Sequence, residues 1–155
     1  MCKLAWSIST VLTVILAVFV YKFVVVGEVV DASDGRQAIV LQPDERDFVL
    51  AEMRLFLTSV QAINQAVVDG NPEQIASAAK MVGAAAQQTV PPALISKLPL
   101  EFKKQGFDTH QKFDLLAMDA EQIGDGMHSL KQLAELMQNC VACHAMYRID
   151  PAPIK

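Results

Sequence analysis

Positive charge, cysteine and aromatic side chains are all scarce in this chain of 155 residues, and each scarcity excludes something. Lys and Arg number 13 against 17 Asp and Glu. The chain therefore lacks the basic excess that phosphate binding requires, which argues against nucleic acid as a partner. Three cysteines cannot build a disulfide framework. Aromatics make up 6%, with a single tryptophan, and charged residues only 19%, against about 25% in an average soluble domain. What is abundant is apolar: 52% of the residues, with a mean hydropathy of +0.28. Apolar residues recur periodically almost to the C-terminus, so disorder is excluded. Once a targeting segment is set aside, the length holds one domain at most.

The apolar excess sits at one end. Residues 4–21 carry no charge, and FVVVGEVV follows Lys22. Eighteen residues at 1.5 Å each make a helix of roughly 27 Å, close to the hydrocarbon thickness of a bilayer. Counting to Val30 allows a longer, tilted span with Lys22 snorkelling to the headgroups. A cleaved signal peptide is the competing reading, but its apolar region would be shorter and would end at a small-residue cleavage site. Only the weak Val30-Asp31-Ala32-Ser33 stretch resembles one. The expectation is an uncleaved anchor over residues 1–30, buried in membrane lipid through residues 4–21. Lys3 and the amino terminus place its start in the cytoplasm and residues 31–155 across the membrane. Without Lys3, Lys22 and Glu28, the remainder holds 11 basic and 16 acidic side chains, a net charge of −5.

Residues 31–42 are polar without a clear period and read as a linker. Over 43–155 the pattern predicts helices. Pro43 opens the first, with Asp44, Glu45 and Asp47 where acids suit the helix dipole. Val49, Met53, Phe56, Val60, Ile63 and Val67 recur at intervals of three and four, as in a bundle seam. Asp69-Gly70-Asn71-Pro72 stops that helix and caps a second, whose stripe is Ile75, Ala79, Val82 and Ala86. Pro91-Pro92 and Leu98-Pro99 mark breaks before a third helix over about 107–123. A fourth runs from about Met127 to Arg148, with Leu130, Leu133, Met137, Cys140, His144 and Tyr147 as its seam. No segment shows strand alternation. The expected fold is all-α: an antiparallel up-down-up-down four-helix bundle behind an N-terminal transmembrane helix.

Cys140-Val141-Ala142-Cys143-His144 is the C-x-x-C-H signature of covalent c-type haem attachment. Residues three apart on a helix share a face, so both thiols can reach the two vinyl groups of one porphyrin. The next residue then offers an imidazole to the iron. A chance match in a chain of this length is on the order of one in a thousand. A zinc site would need a fourth ligand, and a thioredoxin-type pair would follow a strand.

A haem motif near the C-terminus of a four-helix bundle resembles the class II cytochromes c, the cytochrome c-prime group and its low-spin relatives. The resemblance covers roughly residues 43–149. Its most specific part is Cys140-Val-Ala-Cys143-His144-Ala-Met-Tyr147-Arg148, similar to the family's C-x-x-C-H-x-x-[YF]-R. It implies one covalent haem c on Cys140 and Cys143 and His144 as proximal iron ligand. Arg148 would lie one turn on beside the imidazole, or simply suit the helix C-terminus as a cation; Tyr147 reads as packing. For the distal position the family's R-x-x-x-[ML] pattern gives Arg46-x-x-x-Leu50, whereas counting back from Gly70 comes nearer to Met53, which also lies on the seam. His110 and His128 read as solvated helix-end histidines, and Met137 and Met146 as residues packing at the porphyrin.

Two functions stand against each other. A thioether from Met53 would give six-coordinate iron and an electron carrier. An open site walled by Leu50 would bind NO or CO. No acid–base or nucleophile constellation reads as an enzyme. Haem attachment to this motif occurs outside the bacterial cytoplasm, so the resemblance implies a single-pass inner-membrane protein with its haem domain in the periplasm. Expected partners are redox proteins or subunits of a membrane electron-transfer complex. Members of the family often pair, so the resemblance also admits a homodimer.

Overall fold

In the computed structural model, which describes residues 2–153, the chain is mostly helical, 76%, with six helices, the first of them apolar and N-terminal. Helix α1 spans Cys2–Val20 and continues as a π-helical turn over Tyr21–Val26. Together Lys3–Val26 form 24 residues of mean hydropathy 2.3, none of them buried inside the protein. At 1.5 Å per residue the rod is roughly 36 Å long, long and apolar enough to cross a bilayer.

Two short strands follow, β1 (Val29–Asp31) and β2 (Gln37–Leu41), paired antiparallel around Gly35. A third, β3 (Tyr147–Pro151), adds parallel to β2 from the far end of the chain, pairing Gln37 with Tyr147 and Leu41 with Pro151. This sheet departs from the all-α expectation, and the stretch 31–42 expected as a linker contains β2. Its pattern is hidden because Ala38 and Ile39 are both buried, as is Leu41. A strand covered on both faces shows no period of two.

Helix α2 (Pro43–Val68) begins as expected, with Gln42 and Glu45 forming a capping box and Pro43 in the first turn. Gly70, at φ 64°, turns the chain, and the Asn71 side chain accepts from the Gln74 amide to cap α3 (Pro72–Lys80). The expected stripe of this helix continues in sequence to Ala86, but the helix stops at Lys80. Gly83 lies against the Asp114 carboxylate, which accepts from the Ala84 amide and starts a 3-10 turn over Ala84–Thr89. After α4 (Pro92–Lys97), helix α5 (Leu100–Gln122) starts directly behind Pro99, seven residues earlier than expected. Helix α6 (Gly126–Met146) is capped by Asp125 and ends before Tyr147, not at Arg148, because Tyr147 is extended into β3.

Two apolar cores result. The larger joins Ile63 of α2, Ile75 and Ala79 of α3, Phe113 and Leu116 of α5, and Leu133 and Leu136 of α6. The smaller joins Ile39 and Leu41 of the sheet to Val49, Leu94, Phe102 and Tyr147. Phe113 is fully buried and stacks on Phe56 with ring centroids 5.6 Å apart. Phe113→Ala is expected to cost about 3–5 kcal/mol of stability, read from the denaturation midpoint. A loss below about 1 kcal/mol would contradict this packing.

Candidate haem site

Along α2 the expected seam is buried at Val49 and Ile63, but Met53, Phe56 and Val60 between them are only half-covered. On α6 the buried line is Ser129, Leu133 and Leu136, leaving Met137 and His144 exposed. The seam is open at these positions because they wall a cavity of about 460 Å³ between α2, α5 and α6. Its lining is predominantly apolar and includes Met53, Leu50, Phe56 and Val60 from α2, Phe102 and Gly106 from α5, and Met137, Cys140, Cys143 and His144 from α6.

The cavity lies between the two cores. Cys140 packs against the larger and Cys143 against the smaller. Both thiols are free and half-buried. Burial pushes the Cys140 thiol up, and burial together with the neighbouring Cys140 pushes Cys143 up to about 11. Such thiols are the opposite of the low-pKa pair of a disulfide oxidoreductase. The side chain of Cys2 lies outside the described residues.

These residues fit a haem. Two thiols one turn apart and an adjacent imidazole open on one apolar cavity of ligand size. The buried Gln105 Oε1 on its wall has no hydrogen-bond partner. Among the described residues no group of three or more His, Cys, Asp or Glu side chains could hold a bare metal ion.

The other candidate residues are distributed as follows. Leu50 and Met53 both line the cavity, so the two distal candidates share one wall. Met146 is exposed and is not part of the lining. Tyr147 is buried and meets the Phe102 ring edge-on at 5.5 Å. Arg148 has left the helix. Its guanidinium pairs with Asp150 at 2.8 Å and Asp34 at 3.3 Å. The cation at the end of α6 is instead Arg36, whose Nη1 donates to the His144 carbonyl at 3.3 Å and the Tyr147 carbonyl at 3.4 Å. Hydrogen bonds from Arg36, and its charge, hold the Asp34 carboxyl down to about 2. Arg36 stands 108 residues from His144, and no local pattern announces that contact.

Of the two histidines expected at solvated helix ends, His128 lies at one and His110 does not. His128 is half-buried and bonds Asp119 at 2.9 Å near the start of α6, about 24 Å along the helix from His144. His110 is 4% exposed and lines the cavity. Its Nδ1 lies 2.8 Å from the Val82 carbonyl and its Nε2 3.5 Å from the Glu52 carboxylate. A signal for its burial existed, since it precedes Phe113 by three residues and so shares the α5 stripe.

Burial alone would depress the His110 pKa, but Glu52 and the Val82 and Gly83 carbonyls outweigh it and raise it above the ordinary 6.5. The folded protein then binds this proton more tightly than the unfolded chain does. That contribution to stability is complete below pH 6.5 and is lost as pH rises through the elevated value. The thermal midpoint in mild detergent is expected to fall over that interval, and His110→Gln to flatten the fall. An unchanged slope in the variant would show that His110 does not carry it.

Compared with protein-family models, with curated proteins and with solved structures, the chain has no match in any of the three.

Proposed function

We propose that this chain is a membrane-anchored mono-haem c-type cytochrome that carries single electrons in a periplasmic or membrane-bound electron-transfer chain. The observation that carries this reading is the single cavity on which Cys140, Cys143 and His144 open from α6 while Met53 opens from α2. On this reading α2, α3, α5 and α6 are the antiparallel four-helix bundle of the class II cytochromes c, to which a sheet has been added.

Bound haem supplies the one-electron couple. Cys140 and Cys143 would hold it through their sulfurs, and the His144 imidazole and the Met53 sulfur would be the ligands offered to its iron. Phe56 and Val60 keep water away, and the apolar surroundings favour the neutral sulfur ligand and a raised potential. Arg36 places positive charge at the carbonyl end of the haem-bearing helix, which disfavours the more positive oxidised iron. Lys3 ahead of the apolar run orients the protein in a bacterial inner membrane with the haem domain in the periplasm. Its partners are redox proteins or subunits of a complex in that membrane.

A second reading has its own observation. Leu50 shares the cavity wall with Met53, and a leucine over the iron would leave an open site for NO or CO. The spectrum of the reduced protein with and without carbon monoxide separates the two. The electron-carrier reading expects a low-spin spectrum that carbon monoxide leaves unchanged. A high-spin spectrum that shifts on adding the gas would replace it with the gas-binding reading.

A further inference from the structure

The anchor does not end in a flexible tether. Val26 passes directly to Gly27, which is buried at φ 70°. A Cβ at Gly27 would stand 2.4 Å from the Lys97 carbonyl oxygen and 2.8 Å from the Leu98 and Pro99 backbone. The Glu28 amide donates to the same Lys97 carbonyl at 2.7 Å, and β1 begins at the next residue. From the other side Lys103 Nζ donates to the Val24 carbonyl at 3.0 Å, capping the last turn of the anchor. The corner between α4 and α5 and the sheet thus clamp the end of the anchor between them.

The same end of the molecule carries the cavity. Phe102, Gln105 and Gly106 of its wall flank Lys103, with Gly106 about 4.5 Å further along α5. The motif-bearing end of α6 runs into β3, in the sheet whose first strand follows the anchor.

The level of the membrane can be placed on this end. Lys22 is the first charge after the apolar run, so its ammonium marks the headgroup layer. Val24 lies two residues further on, and Lys103, bonded to it, lies at the same depth. Phe107, one turn on from Lys103 on the same face of α5, is 48% exposed. Lys103 is half-buried with its Nζ on the Val24 carbonyl, and the neighbouring Lys104 is exposed and pairs with Glu101 at 2.8 Å. An ammonium beside an exposed aromatic ring suits the boundary between phosphate and acyl chain.

We propose that the α4–α5 corner, centred on Lys103 and Phe107, rests on the phospholipid surface and holds the cavity end of the molecule against the membrane in a fixed orientation. One consequence rests on the haem reading above: the haem exchanges electrons with a redox protein resident in the same membrane, because a rigidly clamped domain cannot swing out to a distant carrier. The lipid contact itself does not depend on haem.

The test places a benzophenone amino acid at position 107, or at exposed position 123 about 24 Å further along α5, in the full-length protein. Each protein is reconstituted in phospholipid nanodiscs, irradiated and analysed by mass spectrometry. Lipid adducts at 107 are expected to exceed those at 123 by tenfold or more. Adducts absent at 107, or equal at the two positions, would overturn the proposal. The acid-denatured mass of the same samples reports haem separately, so lipid adducts on a chain without haem would sustain this surface while removing the haem reading.

Discussion

Serine at both Cys140 and Cys143 is expected to leave the full-length protein in the membrane but without covalently bound haem. Thioether attachment needs sulfur, and a hydroxyl does not replace it. Each thiol faces the same cavity from a different core, so either alone offers one point of attachment and both must be removed for complete loss. Wild-type protein denatured in acid should carry the mass of one haem, each single variant should retain some, and the double variant none. The double variant should also unfold at a lower temperature in mild detergent, because the occupant of an apolar cavity of about 460 Å³ between the two cores is no longer tied to α6. A wild-type mass equal to the bare polypeptide would remove the proposed function at its root, as would a double variant that still holds haem covalently.

Met53→Ala is expected to convert a low-spin spectrum to high spin and to open a carbon monoxide site. Met53 stands ten residues into α2, roughly 15 Å from its start, and faces the cavity onto which His144 opens from α6. No other thioether reaches this cavity from α2. His110 also lines it, but both of its ring nitrogens are engaged, one by Val82 and one by Glu52. Met137, the other thioether on the lining, stands on the same helix as His144, so the alanine leaves no side-chain ligand on the α2 side. Leu50→Ala, on the same wall, should leave the spectrum low-spin. Retention of a low-spin spectrum in Met53→Ala would defeat the ligand assignment, and a wild type that already binds carbon monoxide would pass the distal position to Leu50.

The helices were legible where local chemistry marks their ends. Pro43 with Glu45, the Gly70-Asn71-Pro72 turn, Leu98-Pro99 and Gly124-Asp125-Gly126 each fall at an observed boundary. The third helix starts at Leu100, seven residues before the expected Phe107, and runs through Gly106, because a single glycine inside a long, packed helix costs only about 1 kcal/mol. Met53 was visible on its stripe, but periodicity treats a wall of a cavity and a wall of a core alike. That is why Leu50 and Met53 could not be separated by counting.

By itself the sequence determined the apolar N-terminal rod, the order of the long helices and the spacing of Cys140, Cys143 and His144. All of these depend on neighbours within a few residues, through hydropathy, capping and the helical repeat. Only the tertiary structure decided that residues 37–41 pair with 147–151, that Arg36 and not Arg148 caps the motif helix, and that His110 is buried against Glu52 and Val82. It likewise decided that Gly27 locks the apolar N-terminal helix to Lys97 instead of leading into a linker. Each of those contacts joins residues 28 to 111 positions apart, and a contact over such a distance leaves no period or cap in the chain on either side.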